Sequence, residues 1–302
     1  MSATLLALAL GLMTALCFGT GDFLAARLTR THGWLVTVFA VQIVAGLLLA
    51  AAALLWWPLP SLTPELGLEL ALLGGVNTLA LIALYRAFDS GKVSLVSPIA
   101  GSMGAFTLGF AWLAGLPPAL EHIPGVIAML VGVALASVAV EASKPAAPSK
   151  LRRARGIGWA LASALGFGWV FFELGSTSAV LGPAWTVCGL RVVALLILVP
   201  VSRAMRQPLR APSSRLARAS APILVLVAVC DAGGMLTFAY ASSLEALRAE
   251  IALLTVIASC FPVITILWAR ARLRESLAWW QWLGVGLVLA SIAWISVWNE
   301  VG

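Results

Sequence analysis

A few ionisable side chains interrupt the long apolar stretches of this sequence, and their chemistry needs an explanation. Asp22, Glu173, Arg191 and Asp231 each stand within a run of hydrophobic residues. A charged side chain at the centre of a bilayer costs roughly 2.5 to 3.5 kcal/mol by insertion scales. We therefore expect these residues either to form ion pairs or to line a path for ions or substrate.

Glu173 follows Trp169 by four residues, so in a helix both side chains point the same way. An aromatic ring beside a carboxylate suits an ammonium or amine group. Packing of a large ring in a gap between helices explains Trp169 equally well. Glu173 makes the pair a candidate substrate site and also a candidate proton carrier.

Arg191 lies midway along its apolar segment and has two interpretations. It forms a structural ion pair with Asp231 or Glu173, or it recognises a carboxylate on a substrate.

Asp22 is expected about one turn before the end of the first apolar helix. Its carboxylate either pairs with Arg27 or Arg30 near that end, or binds a proton that competes with substrate. Both interpretations of Asp22 are kept.

The composition is that of a membrane protein. Of the 302 residues, 62% are hydrophobic and 10% are charged, whereas about a quarter of a soluble domain is charged. Segments of about 20 apolar residues span a bilayer. The sequence therefore predicts an all-α integral membrane protein with ten spans, near 4–26, 35–55, 68–88, 93–113, 122–140, 157–180, 184–201, 220–243, 250–269 and 277–298.

Basic residues are distributed unevenly between the connections. Sixteen of them follow the odd-numbered spans, whereas Arg248 alone lies in the other connections or the tails. Because basic loops stay in the cytoplasm, both termini are predicted on the non-cytoplasmic side of an inner (plasma) membrane.

The two halves of the sequence are related. A shift of 149 residues places Phe18-Gly19 on Phe167-Gly168 and Gln42 on Arg191. Since each half has five spans, the second is inverted relative to the first, as in many secondary transporters. The predicted units are a first repeat (1–140), a basic linker (141–155) and a second repeat (156–302).

Polar residues at related places in the third and eighth spans indicate a central cavity between the repeats. These are Asn77 and Asp231, with Tyr85 and Tyr240 further along each span. Interhelical hydrogen bonding is the alternative for Asn77. Pro98 lies in the fourth span and Pro262 in the ninth. Both predict helix kinks, which serve either as hinges or as static packing features.

Recognisable enzyme and cofactor signals are missing from the sequence. There is no Walker motif, no metal-ligand spacing, no nucleophile elbow and no paired cysteine motif. We expect no catalytic activity, no cofactor and no bound metal. The basic residues are not interleaved with aromatics as in nucleic-acid surfaces, so no nucleic-acid partner is expected.

Several motifs resemble one transporter family over essentially the whole chain. They are FGTGDF (18–23), LYRAFDSGKVSLVSPI (84–99), IASCFPVITILWARARLRES (257–276) and QWLGVGLVLASIA (281–293). In these motifs the chain resembles the ten-helix, two-repeat EamA-type members of the drug/metabolite transporter (DMT) superfamily.

The resemblance implies secondary transport, with the two repeats rocking about a site near the midplane. The expected substrate is a small amine-bearing or zwitterionic metabolite, such as an amino acid or a drug-like cation, exported by proton antiport. The other partner is the lipid bilayer, and the working unit is a monomer or a homodimer. Two alternatives stay open: a carrier for a lipid-linked or amphipathic anion, and a non-transporting membrane assembly partner.

Overall fold

The computed structural model describes residues 3–90, 93–116, 120, 123–137, 150–206, 209, 214–247, 251–273, 278–280, 282–284, 286–287, 290–291 and 294. Within these ranges the regular structure is helical, with no strand. The helices are α1 (Ala3–His32), α2 (Trp34–Trp56), α3 (Pro64–Ser90), α4 (Val93–Gly101), α5 (Met103–Leu113), α6 (Ile123–Ser137), α7 (Lys150–Leu181), α8 (Pro183–Ala204), α9 (Ser214–Ser243), α10 (Ile251–Ala258) and α11 (Phe261–Leu273). A 3-10 turn at Glu245–Leu247 follows α9.

Among the described residues, seven helical stretches are long and apolar enough to cross a membrane. They are Ala3–His32, Trp34–Trp56, Pro64–Ser90, Arg155–Leu181, Pro183–Ala204, Arg218–Ser243 and Leu254–Arg272. Shorter apolar helices cover Ile99–Leu113 and Ile123–Gly132. The protein is therefore an all-α membrane protein, and half of the residues in the span expected near 277–298 lie outside the described ranges.

Two helices begin or end elsewhere than the hydropathy predicts. α1 continues to His32, so Asp22 lies ten residues before its end, about 15 Å or three turns rather than one. α7 begins at Lys150, inside the expected linker, whose residues 141–149 lie outside the described ranges. Arg, Lys, Leu and Ala are good helix formers, so a helix continues beyond its apolar stretch.

Helices α1, α2 and α3 pack against α9, α8 and α7, respectively. Two close approaches are related between the halves: their glycines are 149 residues apart and their threonines 158. Thr265 Oγ1 donates to the Gly19 carbonyl at 3.1 Å, and Thr107 Oγ1 donates to the Gly168 carbonyl at 3.0 Å. A Cβ atom at Gly19 would lie 2.5 Å from the Phe261 carbonyl oxygen, so glycine is required for this contact.

Helices α2 and α8 begin in the same way. Gly33 and Gly182, also 149 residues apart, precede them with φ of 85° and 84°. Such left-handed backbone favours glycine. Thr37 and Thr186 each donate a hydrogen bond from Oγ1 to that glycine's carbonyl, at 2.8 and 3.0 Å.

The fourth and ninth expected spans are each interrupted. Ser102 separates α4 from α5, and residues 259–260 separate α10 from α11. Pro98 lies in α4, four residues before the first interruption. Pro262 was expected to kink a continuous helix but is instead the second residue of α11. At that position a backbone N–H has no intrahelical acceptor, so proline costs the helix no hydrogen bond. The interrupted spans cross where Gly101 meets Pro262 and Gly104 meets Ser259.

The ends of the long helices meet in two groups. His32 Nε2 at the end of α1 lies 2.9 Å from Ser220 Oγ near the start of α9. Arg86 near the end of α3 contacts Trp34 at the start of α2 and Trp159 in the first part of α7. We call this the basic end, because exposed arginines flank it at positions 27, 30, 155 and 203. In the other group, Trp185 Nε1 at the start of α8 donates to the Pro58 carbonyl at 2.7 Å, and Thr177 near the end of α7 bonds to Glu69 near the start of α3; we call this the opposite end.

Candidate functional site

A cavity lies within the helix bundle and is partly open to solvent; the space between its lining atoms, open solvent included, is about 640 Å³. It is bounded by residues of α1, α3, α4, α5, α7, α8, α9 and α11. The lining residues are Phe18, Gly21, Asp22, Ala25, Asn77, Leu81, Leu84, Tyr85, Ala100, Met103, Phe167, Phe171, Arg191, Val227, Asp231, Met235 and Phe261. Asp22, Asn77, Tyr85, Arg191 and Asp231 are thus brought together at one site.

Arg191 is the cationic residue among those that line the cavity, and its charge is already matched. Its Nη2 lies 2.9 Å from Asp231 Oδ2, and its Nη1 donates to Gln42 Oε1 at 2.8 Å. The Arg191 side chain is 1% exposed, whereas the Asp231 side chain is 20% exposed. Of the two partners considered from the sequence, the structure pairs Arg191 with Asp231, and it adds Gln42.

The carboxylate of Asp22 is placed differently. Asp22 is partly buried and lines the cavity, whereas Arg27 and Arg30 are exposed further along α1. Within the described ranges it has no ion pair and no side-chain hydrogen bond. Because Asp22 lies three turns from the end of α1, the alternative pairing with Arg27 or Arg30 is not formed.

Asn77 presents an unpaired amide to the cavity. It is fully buried, and neither Oδ1 nor Nδ2 has a hydrogen-bond partner among the described residues. Arg191 Nε and Gln42 Nε2 also lack partners in that part of the chain. A buried amide without a partner costs a few kcal/mol, so interhelical bonding does not account for Asn77.

Phenylalanines form the aromatic wall of the cavity. Phe18 packs edge-on against Phe171 and Phe261, with ring centroids 5.8 and 6.3 Å apart. Phe171 in turn packs against Phe238 at 4.4 Å. Sequence reasoning assigned none of these rings to the site, although Phe18 lies in FGTGDF, because phenylalanine in an apolar segment gives no signal of its own.

Trp169 and Glu173 lie on another face of α7. Phe167 and Phe171 line the cavity, and positions two residues further along are about 200° around the helix. Trp169 packs against the hydrophobic core, and Glu173 is partly buried, outside the residues that line the cavity. The structure therefore does not bring this pair to the ion pair of Arg191.

Tyr240 also lies away from the cavity, with 46% of its surface exposed. A spacing of 154 residues relates Asn77 to Asp231 and Leu81 to Met235, and all four line the cavity. By that spacing Tyr85, which is 4% exposed, corresponds to Ala239. Tyr240 is one residue further, about 100° around α9.

The described residues contain no group of three or more His, Cys, Asp or Glu that could hold a metal ion. None of the four cysteines is joined to another in a disulfide. Within this part of the chain, the chemistry of the site therefore comes from the carboxylates, the guanidinium, the amides and the aromatic rings.

Comparison with known proteins identifies one family. Residues 154–297 match the model of the EamA-like transporter family. A solved structure described only as "Crystal structure of protein" superposes with a TM-score of 0.70 and 16% sequence identity, covering 97% of both chains. That likeness shows a shared fold and nothing about substrate. No curated protein matches the chain.

Proposed function

The chain is a member of the drug/metabolite transporter superfamily, and from this premise we propose that it is a secondary active transporter of a small amine-bearing or zwitterionic metabolite. The proton gradient drives export of this solute through the central cavity.

The charge balance of the cavity is the observation that carries the proposal. Arg191 and Asp231 neutralise each other at 2.9 Å, so of the two carboxylates that line the cavity Asp22 is the one without a cation partner among the described residues. In a low-dielectric site an unmatched negative charge attracts a cation strongly. An anionic solute would have to displace Asp231 from Arg191, so the cavity favours a positively charged group.

The remaining lining fits the rest of such a solute. The rings of Phe18, Phe171 and Phe261 offer apolar surface and faces that attract an ammonium group. The amide of Asn77 offers a donor and an acceptor for a carbonyl, carboxylate or hydroxyl group.

Asp22 also supplies a means of coupling. If the Asp22 carboxylate must lose its proton before it can bind the solute, proton release is linked to substrate binding by mass action. Glu173 is retained as the second candidate for proton binding, and Trp169 and Tyr240 as candidate substrate contacts in another state of the transporter.

The proposed architecture has ten spans in two inverted repeats, 1–140 and 156–302, joined by the linker 141–155. The reciprocal contacts of Gly19 with Thr265 and of Gly168 with Thr107 support it, since each maps onto the other when the repeats are exchanged. The interrupted spans next to Pro98 and Pro262 are the proposed hinges for alternating access.

The proposed setting is a bacterial-type inner membrane with the basic end in the cytoplasm and both termini on the other side. The proposed working unit is a monomer or a homodimer. The partners are the solute and the lipid bilayer, with no nucleic acid.

Transport by purified protein in proteoliposomes tests the proposal. Amino acids, amines, quaternary cations and carboxylate anions are compared under an imposed pH gradient. We expect proton-dependent flux of cationic or zwitterionic members, and at least a tenfold loss in Asp22→Asn. Glu245→Gln, at an exposed position of the 3-10 turn, serves as the matched control.

Two outcomes would contradict the assignment. Flux of anions alone would show that Arg191 is available to substrate. Proton-coupled flux that persists in Asp22→Asn but is lost in Glu173→Gln would indicate that the proton binds at Glu173, outside the cavity.

A further inference from the structure

Arg86 sits in an aromatic clamp at the basic end. Its guanidinium carbon lies 4.7 Å from the ring centroid of Trp34 and 5.0 Å from that of Trp159. Its Nη2 also contacts Met205 Sδ at 3.6 Å. Both ring contacts are within the range of cation–π attraction.

The clamp joins the two halves of the chain. Arg86 and Trp34 come from α3 and α2, whereas Trp159 and Met205 come from α7 and the residue after α8. Trp34 is 7% exposed, so its ring is largely shielded from solvent. In the described residues Arg86 has no carboxylate partner, so its charge is held by the rings.

Among the described residues the clamp has no counterpart at the opposite end. By the spacings of 149 and 154 residues, the positions that correspond to Trp34, Arg86 and Trp159 are Pro183, Tyr240 and Leu10. None of these side chains carries a positive charge. The described contacts between halves at the opposite end include a hydrogen bond from Thr177 Oγ1 to Glu69 Oε1 at 2.6 Å and apolar packing of Leu70 on Gly189.

This asymmetry has an energetic consequence in a protein of two related halves. If all contacts were repeated at both ends, exchanging the roles of the halves would give two states of equal free energy. Each contact present at one end only contributes to the stability of the state in which that end is closed, and at the basic end the clamp is such a contact. We propose that Arg86, Trp34 and Trp159 form a one-sided latch that keeps the cavity closed at the basic end. This inference rests on the alternating access proposed above.

The cavity residues nearest the clamp are consistent with this role. Leu84 and Tyr85 line the cavity and immediately precede Arg86 on α3. Movement of α3 away from α7 would therefore release Arg86 and widen the cavity on the same side. Substrate passage through the basic end requires the latch to open in each cycle.

Distances between spin labels on the full-length protein in lipid nanodiscs test the latch without any transport assay. One pair replaces the exposed residues Arg30 and Arg155 at the basic end, in a background whose four cysteines are alanines. A second pair replaces the exposed Glu65 and Ala179 at the opposite end. The measured quantity is the ratio of long to short distances at each pair.

Arg86→Ala should raise the long-to-short ratio about tenfold at the basic end and lower it at the opposite end. Trp159→Phe should give a smaller change in the same direction, and Arg86→Lys should restore only part of the closed population. Arg203→Ala, which removes an exposed arginine at the same end, should leave both ratios unchanged.

No change at either pair in Arg86→Ala would overturn the latch and leave the clamp as static packing. Broadening at both ends would also overturn it, because Arg86 would then hold the fold rather than one state. A shift of distances in protein that transports none of the tested solutes would uphold the latch and refute the substrate assignment alone.

Discussion

The ion pair of Arg191 and Asp231 allows a quantitative prediction about stability. Removing one partner of a buried pair leaves an uncompensated charge, which costs about 3 to 5 kcal/mol. The two partners are not equivalent here, because Arg191 is 1% exposed and stays charged, whereas Asp231 is 20% exposed and can accept a proton. We therefore expect Asp231→Asn to cost about 3 kcal/mol and Arg191→Gln about half of that.

The double variant Arg191→Gln with Asp231→Asn should recover most of the loss, since neither charge is then left alone. The expected coupling between the two positions is at least about 2 kcal/mol. Unfolding in mixed micelles, followed by circular dichroism or by trapping of the unfolded chain, measures each free energy. Asp22→Asn is the control, because that carboxylate has no cation partner in the described residues, and it should not destabilise the fold.

Additive effects of the two single changes, within about 0.5 kcal/mol, would refute this reasoning. So would equal costs for the two single variants, since the argument rests on their difference in exposure and in ability to lose charge.

Three further predictions follow from the packing and from the cavity. Gly19→Ala should destabilise the protein by about 2 kcal/mol, because the added carbon would meet the Phe261 carbonyl at 2.5 Å. Gly158→Ala, at an exposed helical position with nothing within 4 Å, should stabilise it by about 0.5 kcal/mol, and thermal unfolding compares the two. Asn77→Leu should raise stability by about 1 kcal/mol while raising the KM for transport, because it removes an unpaired buried amide that would bind substrate; an unchanged KM would contradict that role.

Much of the fold follows from hydropathy and spacing in the sequence. The spans are long apolar helices, and the 149-residue shift placed Gln42 and Arg191 at one depth, where the structure joins them at 2.8 Å. Helix ends were less predictable, since α1 and α7 extend past their apolar stretches through residues that favour helix without being hydrophobic.

The site could be predicted only in part, because spacing along one helix does not fix which face meets the centre of the bundle. Trp169 and Glu173 share a face, but Phe167 and Phe171 hold the face toward the cavity. Tyr240 matched Tyr85 in residue type while lying one position away from the structural equivalent. The rotation of a helix about its axis is set by packing against several neighbouring helices, so it is hard to predict from a single sequence.

The contact between Gln42 and Arg191 has a further consequence for how such a chain could have arisen. In the proposed repeat architecture, residues at equivalent positions that contact each other, as Gln42 and Arg191 do, lie next to the axis that relates the repeats. In a dimer of two identical half-length chains, the same side chain would meet itself there, and two buried arginines would repel each other. Joining the halves into one polypeptide lifts that restriction, so the axial position can hold one charge with an uncharged partner. Fusion is thus one route by which the centre of a protein with the proposed repeat architecture can become asymmetric.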